Sequence, residues 1–306
     1  MTTANAQTSW AGMLAVLVAA TLWGTTGTAA ALAPEVPSAA IAAVAMGGGG
    51  LLQALLATRH IVKHRLTLRQ HKFYLLLGAV AVAVYPLAFY GSMRLAGITI
   101  GTVITIGSAP LLSALIEYLF DRQALSLRWL AGAILGVAGM VLLALAESHG
   151  SNHTDSPGLG MALGLLAGLT YALYSWTARR LMLHGISTQA AMGATFGLGA
   201  LLLLPVLLYT GAPLLASWGN FAVGLYMALV PMFIGYLCFG FGLARILAST
   251  AITLTLFEPV VAAGLAVLVV GERLPVQGWM GIGLILLCLV CITWPHKPAA
   301  QAHAGI

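Results

Sequence analysis

The chain alternates long apolar runs with short polar or charged breaks over nearly its whole length. A helix needs about 20 apolar residues to cross a hydrocarbon core about 30 Å thick. The runs lack the two-residue alternation of half-buried strands, and open sheet edges do not occur in lipid, so helices are the predicted spanning form. The ten predicted spans are 10–32, 38–58, 73–93, 99–119, 127–146, 158–178, 188–209, 220–241, 250–270 and 278–294.

The composition agrees with lipid as the surrounding medium. Hydrophobic residues make up 60% of the 306 residues and charged residues only 7%, whereas soluble domains carry about 25% charged residues. No lysine or arginine precedes the first apolar run, so we interpret that run as a retained span rather than a signal peptide. The predicted fold class is an all-α polytopic membrane protein.

The basic residues indicate an orientation in a bacterial-type inner membrane. With the N-terminus placed in the cytoplasm, only Arg94 and Arg273 fall on the opposite side. This bias is the positive-inside pattern, and it predicts that both termini are cytoplasmic. The net charge of +6 then needs no nucleic-acid partner, and the lipid bilayer is the expected surrounding. Eleven basic residues fall on the cytoplasmic side: Arg59, Lys63, Arg65, Arg69, Lys72, Arg122, Arg128, Arg179, Arg180, Arg245 and Lys297.

The second half of the chain repeats features of the first. A shift of about 149 residues aligns a shared order of glycine, proline, polar break, leucine and glycine. We predict a first five-helix repeat at 1–150 and a second at 151–306, which ends in a short cytoplasmic tail. Because five is odd, the second copy is inverted, as in many secondary transporters, whose substrate site lies near the midplane between the repeats. The aligned pairs include Gly91 with Gly240, Pro110 with Pro259, Leu125 with Leu274, and Gly132 with Gly281.

Two acidic residues fall in or near predicted spans. Glu117 lies near the end of span 4, close to Asp121 and Arg122, which favours an interfacial structural role. Glu258 lies near the middle of span 9, directly before Pro259. An ionised carboxylate there costs at least about 2.5–3.5 kcal/mol, so it should face the protein interior. Two interpretations stay open: Glu258 bonds backbone groups freed by the proline, or it exchanges a proton or contacts substrate.

Aromatic residues in spans 1, 3, 6 and 8 are the predicted substrate-binding groups, with core packing as the alternative for each one. The predicted central cavity is formed mainly by spans 1, 3, 4, 6, 8 and 9. Prolines within or at the ends of spans predict helix breaks, because each removes a backbone donor. The aromatic candidates are Trp23, Tyr85, Phe89, Tyr90, Tyr171, Tyr174, Tyr236 and Phe239, and the predicted breaks are Pro86, Pro110, Pro231 and Pro259.

The motif content argues against an enzyme. The sequence has no HExxH, GxSxG or Walker motif. All eight histidines fall in predicted loops or tails, and the three cysteines fall in apolar runs, where packing is their expected role. We therefore predict no metal and no cofactor.

Two segments resemble a known family. Residues 256–260 (Leu-Phe-Glu-Pro-Val) through 271–274 (Gly-Glu-Arg-Leu), followed by Trp279 and Gly281, resemble the closing repeat of EamA-type drug/metabolite transporters. Residues 22–24 (Leu-Trp-Gly) are similar to the opening helix of that family. The first repeat departs from the pattern, because Gln123 stands where Glu272 stands in the second. The resemblance implies an exporter of amino acids, including aromatic ones, or of other metabolites.

The leading functional hypothesis is a secondary exporter of small metabolites, amino acids first, that works by alternating access. A second hypothesis is efflux of drug-like or cationic compounds. A third, from another class, is a membrane-embedded enzyme that modifies lipid. A small-molecule substrate is the expected partner and protons are the candidate coupling ion, while the sequence does not distinguish a monomer from a homodimer.

Overall fold

The computed structural model describes residues 9–124, 126–147, 156–265, 267–268 and 274–294. Every regular element within them is a helix, which confirms the predicted all-α polytopic fold. Within these described residues, ten helical stretches are long and apolar enough to cross a membrane, as predicted. These stretches, numbered spans 1 to 10, are Trp10–Ala31, Ser38–Leu56, Lys72–Ala96, Ile100–Asp121, Leu127–Ala146, Pro157–Leu183, Thr188–Thr210, Trp218–Leu243, Ala248–Leu265 and Val276–Thr293. The helix of span 4 begins at Ile98, and that of span 5 ends at Glu147.

The polar ends of some spans are longer than the apolar pattern predicts. Span 6 continues five residues past the predicted end at 178 and includes Arg179 and Arg180, whose guanidinium groups are satisfied by polar contacts with neighbouring spans. The basic connection that lies between predicted spans 2 and 3 folds into two short helices, Thr58–Lys63 and Arg65–Gln70. Leu68, only 4% exposed, anchors the second of these helices against spans 6 and 7.

Three spans are interrupted. Span 1 consists of Trp10–Trp23 and Thr26–Ala31, and span 9 of Ala248–Leu254 and Phe257–Leu265. Span 8 consists of Trp218–Met227, a π-helical segment Ala228–Ile234 and Gly235–Leu243. π-Helical segments often occur at functional sites.

The prolines relate to these interruptions unequally. Pro231 lies within the π-helical segment of span 8. The break in span 9 precedes Pro259, which lies in the first turn of the second segment, where its missing N–H is no loss. The breaks predicted at Pro86 and Pro110 are not observed, because the helices of spans 3 and 4 continue through both residues. Packing against neighbouring helices allows a span to tolerate a proline within it.

The packing of the spans follows the inverted repeat. Span 3 packs on span 6 and span 1 on span 8, while span 4 packs on span 6 and span 9 on span 1. Each span has a counterpart five places away in the other repeat. The pair of spans 3 and 6 therefore corresponds to the pair 8 and 1, and the pair 4 and 6 corresponds to the pair 9 and 1. Spans 2 and 7 pack on each other, as do spans 5 and 10, so these pairs convert into themselves. The predicted boundary between residues 150 and 151 lies outside the described residues.

Candidate functional site

A small cavity of about 60 Å³ lies between the two repeats. Spans 1, 2, 3, 4, 6, 8 and 9 surround it, so the prediction from sequence missed span 2. Span 2 contributes small or flexible apolar side chains, which give no polar or aromatic signal in the sequence. Seven of the eight predicted aromatic residues line the cavity. The complete lining is Trp23, Thr26, Ala42, Ala45, Met46, Tyr85, Pro86, Phe89, Tyr90, Ile106, Tyr171, Tyr174, Met232, Tyr236 and Glu258.

Trp23 is held in place by a hydrogen bond across the repeats. Its indole Nε1–H donates to the carbonyl oxygen of Pro231, 2.9 Å away in the π-helical segment of span 8. The ring of Tyr236 lies 4.8 Å from the Trp23 ring, and that of Phe239 lies 5.3 Å away, both between centroids. Phe239 is fully buried and is not among the lining residues, so the structure places this predicted substrate contact behind the cavity wall.

Hydroxyl pairs fix the tyrosines that form one wall of the cavity. The Tyr174 and Tyr236 hydroxyls are 2.8 Å apart, and the Tyr171 hydroxyl is 3.0 Å from Oγ1 of Thr255. The ring of Tyr85 lies 5.5 Å from that of Tyr171 and 5.8 Å from that of Tyr174. These hydrogen bonds join span 6 to spans 8 and 9, so the wall is a preorganised aromatic surface.

Glu258 lies in the first turn of the second segment of span 9. Its backbone N–H donates to the carbonyl of Thr255 at 2.9 Å. Its side chain lines the cavity and forms no hydrogen bond or ion pair with the residues that the structure describes. This position agrees better with a carboxylate available to solutes than with one that bonds the backbone near Pro259. No basic side chain is present among the described residues that line the cavity.

Gly24 allows the backbones of spans 1 and 9 to pack closely beside Glu258. A Cβ atom at position 24 would lie 2.8 Å from the carbonyl oxygen of Glu258 and 2.7 Å from Cβ of Val261, closer than real side chains approach. Only glycine therefore allows the break in span 1 to pack against the break in span 9. The two segments that resemble the family, far apart in the chain, are in contact at this point.

Polar contacts join several spans at the end that carries most of the basic residues, which we call the basic end. Glu117, predicted to be interfacial, is instead only 1% exposed and accepts hydrogen bonds from the start of span 9. The Arg179 guanidinium donates to the carbonyl oxygens of Leu243 at 2.9 Å and Ile246 at 2.6 Å, which ties span 6 to the end of span 8. The sequence did not single out Arg179, because its half-buried position depends on the packing of these helices.

A second polar contact at this end joins spans 4 and 6. Asp121 accepts a hydrogen bond from Nε1 of Trp176 at 2.9 Å and forms a 3.0 Å ion pair with Arg180. The guanidinium of Arg180 also lies 5.6 Å from the ring centroid of Tyr74. Arg180 thereby bridges spans 3, 4 and 6.

The cavity suits a small amphipathic solute. Aromatic faces and a carboxylate attract an ammonium group, and the tyrosine hydroxyls supply hydrogen bonds. A cavity between inverted repeats, bordered by interrupted spans, is the arrangement of a secondary transporter. The fold and the site therefore define a polytopic membrane transporter.

The comparison with protein families identifies this transporter further. The model of the EamA-like transporter family matches residues 10–145 and again residues 158–294, once for each set of five spans. The chain belongs to the EamA-like transporter family, within the drug/metabolite transporter superfamily. It is accordingly a transporter rather than an enzyme.

Similar proteins agree with this assignment. An uncharacterized transporter of Bacillus subtilis (strain 168), YwfM, is 35% identical over 95% of this chain and 97% of its own length. The threonine/homoserine exporter RhtA of Salmonella typhimurium (strain LT2) is 29% identical over 67% of this chain and 68% of its own length. A solved crystal structure covering 92% of this chain and 95% of its own has a TM-score of 0.75 at 20% identity, which shows the shared fold. These similarities support export of small metabolites through a multi-pass membrane protein.

Proposed function

We propose that this protein is a secondary exporter of small metabolites that carry an ammonium group, with amino acids as the main substrate class. The central observation is Glu258, the one carboxylate among the described residues of a cavity lined by aromatic rings. An ammonium group would lie between the carboxylate and the faces of Tyr85 and Tyr90, where charge attraction and cation–π contact act together. The similarity to a threonine/homoserine exporter supports this substrate class.

The tyrosine and threonine hydroxyls would bind the other polar groups of the substrate. Trp23 is a less suitable donor, because its N–H already bonds Pro231. The hydroxyls of Tyr85, Tyr90 and Thr26 belong to lining residues and form no hydrogen bond with other described residues. They are the groups that we expect to contact a substrate carboxylate or hydroxyl.

Transport would proceed by alternating access. The contacts of Glu117 with Ala248 and of Asp121 with Arg180 join spans from opposite repeats at one end of the molecule. For the cavity to reach that end, these contacts must break while the repeats rock against each other. The charge bias supports an orientation in which this end, both termini and the basic connection between spans 2 and 3 face the cytoplasm of a bacterial-type inner membrane.

A second candidate function is efflux of organic cations. The observation that favours it is the lack of a basic residue among the described residues of the cavity wall, since a substrate carboxylate would have no cationic partner there. An amino acid and an organic cation share the ammonium contact with Glu258. They differ in whether a substrate carboxylate contributes to binding.

Counterflow in proteoliposomes tests both candidates. Vesicles loaded with unlabelled threonine, homoserine or an aromatic amino acid should accumulate the same labelled compound, and vesicles loaded with tetraethylammonium should not accumulate labelled tetraethylammonium. The reverse result would favour cation efflux, and the methyl esters of the amino acids would then be transported as well as the free acids. Product analysis of the recovered solutes should show no chemical change. Absence of counterflow across the whole panel would refute the proposed substrate classes.

A further inference from the structure

A second cavity lies away from the central one, between the basic loop helices and spans 2, 3 and 7. It is open on one side, and its volume of about 460 Å³ falls within the size range of about 300–1,000 Å³ for ligand sites. All lining residues are apolar or glycine except Arg65 and Arg69. The lining consists of Leu51, Ala54, Ile61, Arg65, Leu68, Arg69, Leu75, Gly193, Ala194, Gly197, Leu198 and Leu201. We call it the basic groove.

Close packing of spans 2 and 7 forms the floor of the basic groove. A Cβ atom on Gly197 would lie 2.6 Å from Cβ of Ala54, and one on Gly193 would lie 2.5 Å from Cβ of Ala57. The two glycines therefore let the helices touch, so the groove has a shallow apolar floor. Leu201, which is 56% exposed, forms part of its wall and is open to the surrounding lipid.

The two arginines at the groove have no partner in the described part of the protein. They are four residues apart on the helix Arg65–Gln70, so they lie on one face of it. Both are exposed, and neither forms an ion pair or hydrogen bond with a described residue. The sequence has no acidic residue between Glu35 and Glu117, so this region supplies no carboxylate to neutralise them.

The loop helices have the character of segments that lie in a membrane surface. Val62 and Leu66 are exposed on them, and Phe73 is exposed at the start of span 3. Amphipathic helices with basic residues on the polar face lie along the headgroup region. The basic groove therefore has an apolar part beside span 7. Next to it lie Arg65 and Arg69, which have no partner among the described residues and lie at the depth expected for lipid headgroups.

We propose that the basic groove binds one anionic phospholipid. The phosphate would accept hydrogen bonds from Arg65 and Arg69, whose guanidinium geometry suits phosphate oxygens. An acyl chain would lie against Leu51, Leu198 and Leu201. The proposed topology assigns the lipid to the cytoplasmic leaflet, but the binding itself depends neither on that topology nor on the transported substrate.

The headgroup half of the site is tested with a charge-matched pair of variants. Purified protein in nanodiscs is titrated with phosphatidylglycerol and, separately, with phosphatidylcholine, and native mass spectrometry counts the lipids retained. Each basic residue near a membrane surface contributes about 1 kcal/mol toward an anionic lipid, or about fivefold in affinity. Arg65→Gln with Arg69→Gln should thus weaken phosphatidylglycerol retention by more than tenfold. The control, Arg59→Gln with Lys63→Gln, removes the same charge from residues that do not line the groove.

Different outcomes of this experiment have different meanings. Equal losses for both variant pairs would overturn the site and leave only general surface attraction. Equal retention of phosphatidylcholine and phosphatidylglycerol by the native protein would overturn the proposed role of the arginines. A shift to dimers that the groove variant abolishes would identify a second copy of the chain as the occupant instead.

The acyl-chain half is tested with neighbouring leucines. Leu201→Trp fills the wall of the groove, whereas Leu202→Trp places the same side chain at a residue that is 51% exposed and does not line it. Only Leu201→Trp should reduce retention of phosphatidylglycerol, and inorganic phosphate should not compete. If both tryptophan variants retain the lipid as the native protein does, the acyl chain does not occupy the groove and the proposal fails.

Discussion

The carboxylate of Glu117 caps the first turn of span 9 through the backbone of Ala248 and Ser249. Its Oε1 accepts from the N–H of Ala248 at 2.7 Å, and its Oε2 accepts from the N–H of Ser249 at 3.2 Å and from Oγ of Ser249 at 2.5 Å. A carboxylate at a helix N-terminus also interacts favourably with the helix dipole. These hydrogen bonds thus join span 4 of one repeat to span 9 of the other at the basic end.

Loss of this cap should destabilise the packing of spans 4 and 9 at the basic end. Glu117→Ala leaves buried N–H groups without an acceptor, at a cost on the order of 1–3 kcal/mol for each. We expect a lower temperature of unfolding in detergent and faster labelling of Thr255→Cys by an impermeant thiol reagent added at the basic end. Glu35→Gln, which alters an exposed carboxylate, is the control. Unchanged stability and labelling in Glu117→Ala would show that the cap does not hold this end closed.

Tyr85 and Phe239 should respond differently to truncation. Tyr85 lines the cavity, so Tyr85→Ala should weaken transport more than it affects folded yield. Phe239 is fully buried behind Trp23, and Phe239→Ala should cost about 3–5 kcal/mol of stability. Transport assays normalised to folded protein, together with thermal unfolding, separate the two effects. If Tyr85→Ala loses stability and transport in parallel, as Phe239→Ala should, Tyr85 is a packing residue.

Glu258→Gln tests the carboxylate in the cavity. The amide keeps the shape and hydrogen-bonding capacity of the side chain but removes its proton exchange. If Glu258 couples export to protons, the variant should still bind substrate but lose its response to a pH gradient in proteoliposomes. A native protein whose flux ignores the gradient would contradict coupling. If instead Glu258 only supports the backbone, flux through Glu258→Gln should match that of the native protein and Glu258→Ala should unfold more readily.

Gly24→Ala should disturb the contact between the two interrupted spans. The new methyl group would meet the carbonyl of Glu258 and the side chain of Val261 at less than contact distance. Such overpacking typically costs about 1–3 kcal/mol. Gly27→Ala is the matched control, because nothing lies within 4 Å of a Cβ atom at position 27. Thermal unfolding and transport should both fall for Gly24→Ala alone, and equal effects at both glycines would refute the close-approach argument.

Cysteine labelling tests the proposed orientation. In a background where Cys238, Cys288 and Cys291 are replaced by alanine, Lys63→Cys should react with an impermeant reagent only after the inner membrane is opened. Leu215→Cys, in the exposed connection between spans 7 and 8, should react in intact spheroplasts. Labelling of Lys63→Cys from outside would reverse the topology. It would also move the proposed lipid to the other leaflet.

Hydropathy and the order of the apolar runs were sufficient to predict the ten spans and an inverted second repeat. Lipid cannot hydrogen-bond the backbone, so each apolar run of sufficient length must form a helix, and the number and order of spans follow from hydropathy. The aromatic and acidic candidates Trp23, Tyr85 and Glu258 could be chosen because polar or amphipathic groups at these depths need a partner or a cavity.

The contacts between these residues could not be predicted and became visible only in the packed arrangement of the helices. Hydropathy does not indicate which face of a helix is turned inward, so Phe239 could not be separated from the aromatic residues that line the cavity. The same limit hid the contribution of span 2, whose small side chains carry no chemical signal. The hydrogen bond from Trp23 to Pro231 and the cap that Glu117 provides each join residues more than a hundred positions apart. Such contacts depend on the three-dimensional packing of whole helices, which no local pattern in the chain records.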